Sequence, residues 1–208
     1  MENVKMEKKK KTADKETITT FRVKVGITGL SPLLMNNPKG MFEKKTLRSA
    51  GKDYDVKADA EKSAYTQDDG TLYIPAEAIT GCMRGASSWV KVPRGTPPLR
   101  QLISGVLDIQ PSQIPILDKE GKRLEEYKVD VRRVVIMHSA VPKARAVIPE
   151  WQAEFTIGYN TAYCPHPPSQ FKRVLDIGGH VVGILDFRPQ HSGHFGTFEI
   201  TEWTVEEV

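Results

Sequence analysis

Several residue groups in this 208-residue chain are of types that could do chemistry, and each can be tested for spacing. His191 and His194 stand at a metal-like spacing, but zinc asks for three or four ligands and no third partner lies near them. The pair therefore reads as a phosphate contact or as plain surface. Cys164-Pro165-His166 is a poor nucleophile–base pair, because adjacency in sequence does not set geometry and proline constrains the segment. Asp53, Asp55, Asp59, Asp68 and Asp69 could position Mg²⁺ for hydrolysis, yet hard divalent ions need several well-placed oxygens and nothing in the spacing selects one of the five. The catalytic residues stay unassigned, and the expectation is of no cofactor and no bound metal.

The cations point to a different chemistry, the binding of an extended polyanion. Lys39, Lys44, Lys45 and Arg48 are interleaved with Phe42 and Tyr54, the mixture of charge and stacking rings that single-stranded nucleic acid favours, although a solvated loop with a few anchoring aromatics has the same composition. Arg132, Arg133, Lys143 and Arg145 crowd a hairpin that Asp130 and Glu150 only partly balance; an ordinary charged hairpin would look alike. Arg188, His191, Gly193, His194 and Gly196 form a third group. Glycine relieves the steric limits on the backbone, so successive N–H groups there could be turned toward a phosphate; a glycine turn before an edge strand is the plainer alternative. Arg84 is either a nucleic-acid contact from a helix or a solvated arginine on its polar side.

These groups need a scaffold. With 39% hydrophobic and 27% charged residues the composition is that of a soluble globular protein, and a chain this long buries roughly 70% of its unfolded surface without help from disulfides or metal. The two cysteines, Cys82 and Cys164, lie far apart, so a reducing, cytoplasmic setting is expected. No apolar run approaches the length of about 20 residues that spans a bilayer, so no membrane partner is expected. Residues 1–17, with Lys5, Lys8, Lys9, Lys10, Lys11 and Lys15, read as a disordered basic arm, and 18–208 as a single domain with insertions at about 35–70 and 92–127.

Within that domain Phe21, Val23, Val25 and Ile27 alternate with Arg22, Lys24 and Gly26 as a half-buried strand. Pro75 opens a helix whose Ile79, Cys82, Met83, Ala86 and Val90 share a face. The β-branched run Val129–His138 is expected as the next main strand, followed through Pro142 by the alternating strand Trp151–Tyr159. Ser169 is expected to cap a helix that buries Phe171, Val174 and Leu175, and Phe198–Ile200 starts the last strand. The order is βαββαβ: an α+β, ferredoxin-like (RRM-like) core with long loop insertions and a protruding hairpin. The open sheet face of such a core is a common RNA platform, though fold alone does not fix function.

Three segments carry a family resemblance. Ile27-Thr-Gly29-Leu-Ser-Pro32-Leu-Leu, then Asp69-Gly-Thr-Leu-Tyr-Ile74-Pro75 with its helix carrying Arg84, and finally Val182 through Phe198 with Arg188 ahead of the glycines, resemble the corresponding segments of the RAMP superfamily, the ferredoxin-like RNA-binding proteins of CRISPR systems. The sequence departs from that pattern at Ala76-Glu77-Ala78, where the family carries small glycine and serine residues, and such a departure fits a divergent or mobile-element member. The hairpin around Pro142 resembles the thumb of the subunits that line a guide RNA. The resemblance implies a backbone subunit that binds single-stranded RNA, including a guide RNA and its complementary target, and assembles as a homo-oligomer along the RNA with other effector subunits. Two alternatives remain: a phage or mobile-element single-strand DNA-binding or annealing protein, and a metal-dependent RNA endonuclease using an aspartate of the 53–69 loop.

Overall fold

Strand β1 (Thr20–Gly29) turns Val23, Val25 and Ile27 into the core and leaves Arg22 and Lys24 exposed, the alternation expected of a strand covered on one side. It is described, with the rest of residues 18–39, 54–136 and 139–208, in a computed structural model. The basic arm 1–17 lies outside the described residues. β1 sits between β8 (Gln152–Asn160) and β9 (Phe198–Glu207), antiparallel to both. On the far side of β8 come β4 (Asp108–Gln110) and β5 (Gln113–Leu117), and β3 (Tyr73–Pro75) closes that edge against β5.

Helix α2 (Ala76–Ala86) buries Ile79, Cys82 and Met83, and α4 (Pro168–Ile177) buries Phe171, Val174 and Leu175; the two helices touch each other over the same side of the sheet. Gly178, directly after α4, permits that contact, since a Cβ there would lie 2.8 Å from the Cys82 Sγ. This is the expected α+β, ferredoxin-like arrangement, with strands running β9–β1–β8–β4/β5. Short α3 (Leu99–Gly105) seals one end with Leu99, Leu102 and Ile103.

Two expectations about the elements change. The second core strand is not Val129–His138 but the pair β4 and β5, inside the stretch read as the 92–127 insertion. Pro111 and Pro115 break the β-branched run there, hiding a strand whose Ile109, Ile114 and Ile116 are nevertheless all buried. Residues 128–136 instead form β6 (Lys128–Ile136), which pairs along its length with β7 (Ser139–Ile148), and β2 (Leu33–Leu34) joins β7 to make a separate three-stranded sheet. The second change is small: Pro167, not Ser169, occupies the cap position of α4, with Pro168 opening the helix.

The outer edge of β7 is covered by α1 (Val56–Ser63), which falls inside the 35–70 insertion. Asp55 caps α1 by accepting from the N–H groups of Lys57 and Ala58. Ser63 Oγ accepts from the Ala146 N–H at 2.7 Å, and Tyr54 Oη and Asp59 Oδ2 accept from the Ala144 N–H. Pro142 has the same strand parity as Ala144 and Ala146, so its missing N–H falls on this edge and costs no ladder bond to β6.

Candidate nucleic-acid interface

The loop between Gly183 and Thr197 is a closed, two-armed structure seated on the β2–β7–β6 sheet. Ile184 N–H donates to the Gly196 carbonyl and Phe195 N–H to that of Phe187, zipping the arms together. Gly196 N–H donates to Pro32 and Leu30 N–H to Thr197, tying the loop to the turn after β1. The turn after β1 and the glycine loop, two of the three segments singled out in the sequence, are thus one structural unit.

The glycines do not work as expected. Gly193 N–H donates to the Arg188 carbonyl at 3.0 Å and Gly196 N–H to Pro32 at 2.9 Å, so neither points at an anion. Both glycines are buried, and they are required by close approach: a Cβ on Gly193 would fall 1.6 Å from the Phe187 carbonyl oxygen, and one on Gly196, where φ is +68°, would fall 2.0 Å from that of Ile184. His191 and His194 are exposed on the outside of the loop.

Residues directly paired across β6 and β7 share a face. On the side that meets the loop the pairs are Asp130 with Arg145 and Arg132 with Lys143. Arg145, expected as a nucleic-acid contact, is instead 5% exposed and ion-paired with Asp186, which also accepts from the Phe187 N–H. Its role is to hold the loop onto the sheet. Arg132 donates to Asp130 Oδ1 at 2.7 Å and lays its guanidinium 4.7 Å from the Phe195 ring centroid and 5.7 Å from that of Phe187. Lys143 Nζ donates to Asn36 Oδ1 at 2.8 Å. Arg132 and Lys143 are neighbours on one face of the hairpin, each held by polar contacts within the protein.

Beside this pair runs a groove of about 390 Å³ between the start of α2 and the near arm of the loop, lined by Asn36, Tyr65, Glu77, Gly81, Asp186 and Arg188 among others. Burial pushes the Tyr65 hydroxyl above its ordinary range, with Tyr73, Asp186 and Glu77 adding to the effect, so it stays a neutral donor. Arg188 is half-buried, donating to the Leu185 carbonyl at 2.7 Å and to Gln190 Oε1. Arg84 is exposed one turn beyond Gly81 on the same stripe of α2. Lys39 is exposed, while Arg133 is exposed on the opposite face of the hairpin. Lys44, Lys45 and Arg48, together with Asp53, lie outside the described residues.

The open face of the main sheet is a poor nucleic-acid platform. By register it carries Arg22 and Lys24 against Asp108, Glu154, Glu199, Glu202 and Glu206, and no aromatic side chain from β1, β8 or β9. Five carboxylates against two cations would repel a phosphate backbone.

The remaining sequence candidates have structural duties. Asp55 and Asp59 serve α1 and the β7 edge, and Asp69 accepts from the Thr71 N–H, which holds its carboxyl below the usual range. Cys164 is buried, and His166 is buried with Nε2 against the Pro97 carbonyl at 3.0 Å. Among the described residues no three His, Cys, Asp or Glu side chains converge as metal ligands, and no helix is long and apolar enough to cross a membrane. Sequence reasoning missed Asp186, Phe187, Phe195 and Tyr65; of these, only the two phenylalanines left a sequence signal, as rings flanking the loop's cations.

No protein-family model matches the chain, and no curated protein matches it. Among solved structures the chain is similar to the crystal structure of Cmr6 from Pyrococcus furiosus, at 10% identity and a TM-score of 0.45 over 86% of this chain and 97% of that one.

Proposed function

We propose that the protein is a binding subunit, not an enzyme, that holds single-stranded RNA along the hairpin–loop groove and assembles side by side on a guide RNA, in the manner of a CRISPR-type effector ribonucleoprotein. The observation that carries this reading is the gathering of cations at one place: Arg132 and Lys143 are neighbours across the hairpin, Lys143 reaches Asn36 on the wall of the groove, and Arg188 lines it. An RNA backbone would find several partners for its phosphates there. The rings of Phe187 and Phe195 lie under Arg132, the mixture of cation and aromatic that a strand-binding surface favours. The three segments resembling the RAMP superfamily support the same assignment, since two of them build the loop and the third supplies the α2 wall of the groove.

Side-by-side assembly is supported by how charge and free edges are divided. Among the described residues β6 and β9 each end a sheet, β6 with exposed Val129, Val131 and Val135 beside Arg133, and β9 with its row of glutamates. A contact between two unlike surfaces on copies of one chain propagates head to tail. Cytoplasmic residence and partner subunits belong to the same proposal.

The test is affinity for a labelled mixed-sequence RNA as salt rises from 50 to 200 mM. With Arg132, Lys143 and Arg188 on phosphates, the log–log slope is about −2, from roughly −0.7 per single-strand contact, and Lys143→Glu makes it shallower. Undetectable binding at the lowest salt overturns the reading. Preference for DNA in competition moves the protein to the recombination class, and mass photometry that shows one fixed stoichiometry on RNAs of every length removes the assembly role.

A further inference from the structure

A second cationic surface lies away from the hairpin. From residue 78 to residue 107 the chain has no Asp or Glu, yet it carries Arg84, Lys91, Arg94 and Arg100; residues 161–175 again have no acid and carry Lys172 and Arg173. All six cations are exposed. They belong to the helical side of the molecule, the side opposite the acidic sheet face. In their midst the 3-10 turn Ser87–Trp89 touches α2, α3 and α4 together. Trp89 is 62% exposed, in contrast to Trp151, which is 2% exposed. An indole left in water at the meeting point of three elements, with cations on each of them, is a surface prepared for a flat, anionic ligand.

Glu77 and Gly81 line the groove and Arg84 continues their stripe along α2, while Trp89 lies in the 3-10 turn that follows the helix, about 18 Å along the axis from Glu77 at the helical rise per residue. We propose that single-stranded nucleic acid leaving the hairpin–loop groove crosses the helical side, stacking a base on Trp89 while its phosphates meet Lys91, Arg94 and Arg100. This rests on the reading of the chain as a single-strand binder, and it adds a contact that the hairpin site does not require. The acidic sheet face confines the strand to this route by repulsion.

The experiment uses the full chain and a 20-nucleotide mixed RNA, read both by anisotropy of the labelled RNA and by tryptophan emission. A difference between wild type and Trp89→Phe isolates the exposed indole. RNA is expected to quench that component, and Trp89→Ala to weaken binding at least about fivefold, the effect of losing one base–aromatic stack. Arg94→Glu with Arg100→Glu is expected to weaken binding further, with thermal unfolding unchanged because all three side chains are exposed. Binding by anisotropy that Lys143→Glu weakens, without quenching of Trp89, overturns this inference and leaves the hairpin reading intact. Quenching and a Trp89→Ala loss that Lys143→Glu does not share would keep the Trp89 contact but overturn the route from the hairpin–loop groove. A blue shift with phosphatidylserine vesicles but no response to RNA assigns the surface to a membrane and overturns the inference.

Discussion

Substituting Arg145 tests whether this cation serves the fold or the ligand. Its side chain is 7% exposed against 29% for that of Asp186, so the two ends of the ion pair stand in different dielectric surroundings. Breaking a buried pair from one side costs about 3–5 kcal/mol, most of it the penalty of the charge left behind. In Arg145→Ala the orphan is Asp186, which keeps the Phe187 N–H and can recover water, so the cost falls near about 3 kcal/mol. In Asp186→Ala the orphan is a nearly enclosed guanidinium whose Nε already lacks a partner, and the cost moves to about 5 kcal/mol. At about 2–4 °C per kcal/mol for a chain of this size, Arg145→Ala lowers the melting temperature by about 6–12 °C and Asp186→Ala by more. Replacing both with apolar residues costs less than the sum of the singles, the mark of a coupled pair. Thermal and urea unfolding measure all three. An Arg145→Ala protein that melts like the wild type but loses RNA affinity would refute the structural role and return Arg145 to the ligand; by contrast, Arg133→Ala, fully on the surface, leaves melting within the error of the measurement.

Two further outcomes follow from packing and burial. Gly193→Ala puts a methyl group into the Phe187 backbone and lowers stability by about 3 kcal/mol, whereas Gly81→Ala, mid-helix with open space at its Cβ, raises it by about 0.5–1 kcal/mol; unfolding curves compare them directly. Burial pushes the Cys82 thiol up to about 12, above its value in the unfolded chain. The folded form then keeps a proton that the unfolded form loses, so this group's contribution is whole below about pH 9 and is lost as pH rises toward 12. Cys82→Ala flattens that alkaline decline in a pH series of melts, and an unchanged decline would show that the thiol is accessible.

The parts legible in sequence are those whose pattern is local. The alternation in β1 and β8 and the helical stripes of α2 and α4 identify buried faces without reference to anything distant, and Ile79, Cys82, Met83, Phe171 and Val174 are all in the core. The second core strand was not legible because Pro111 splits it into pieces of three and five residues, too short for periodicity to register. Arg145 was misread for a different reason. Its neighbours Lys143 and Val147 give it the parity of a hairpin face, but what covers that face is Asp186, 41 residues away. Glycines in a loop mark a constraint on the backbone, but sequence does not show whether the space a missing side chain leaves is filled by ligand or by the protein's own carbonyls. Here Phe187 and Ile184 fill it.

A net charge of +4 describes this surface poorly, because the charges are sorted by face. The sheet's open side holds five carboxylates against Arg22 and Lys24, while the hairpin, the loop and the helices hold Arg132, Lys143, Arg188, Arg84, Arg94 and Arg100. Sorting of this kind works against the compact fold, since like charges brought together repel and would be better interspersed. Within the protein Asp130 and the rings of Phe187 and Phe195 engage Arg132, and Asn36 engages Lys143, which holds both cations in position on the face they share. A polyanion laid across the cationic faces would lower that repulsion, and the acidic face would turn it away.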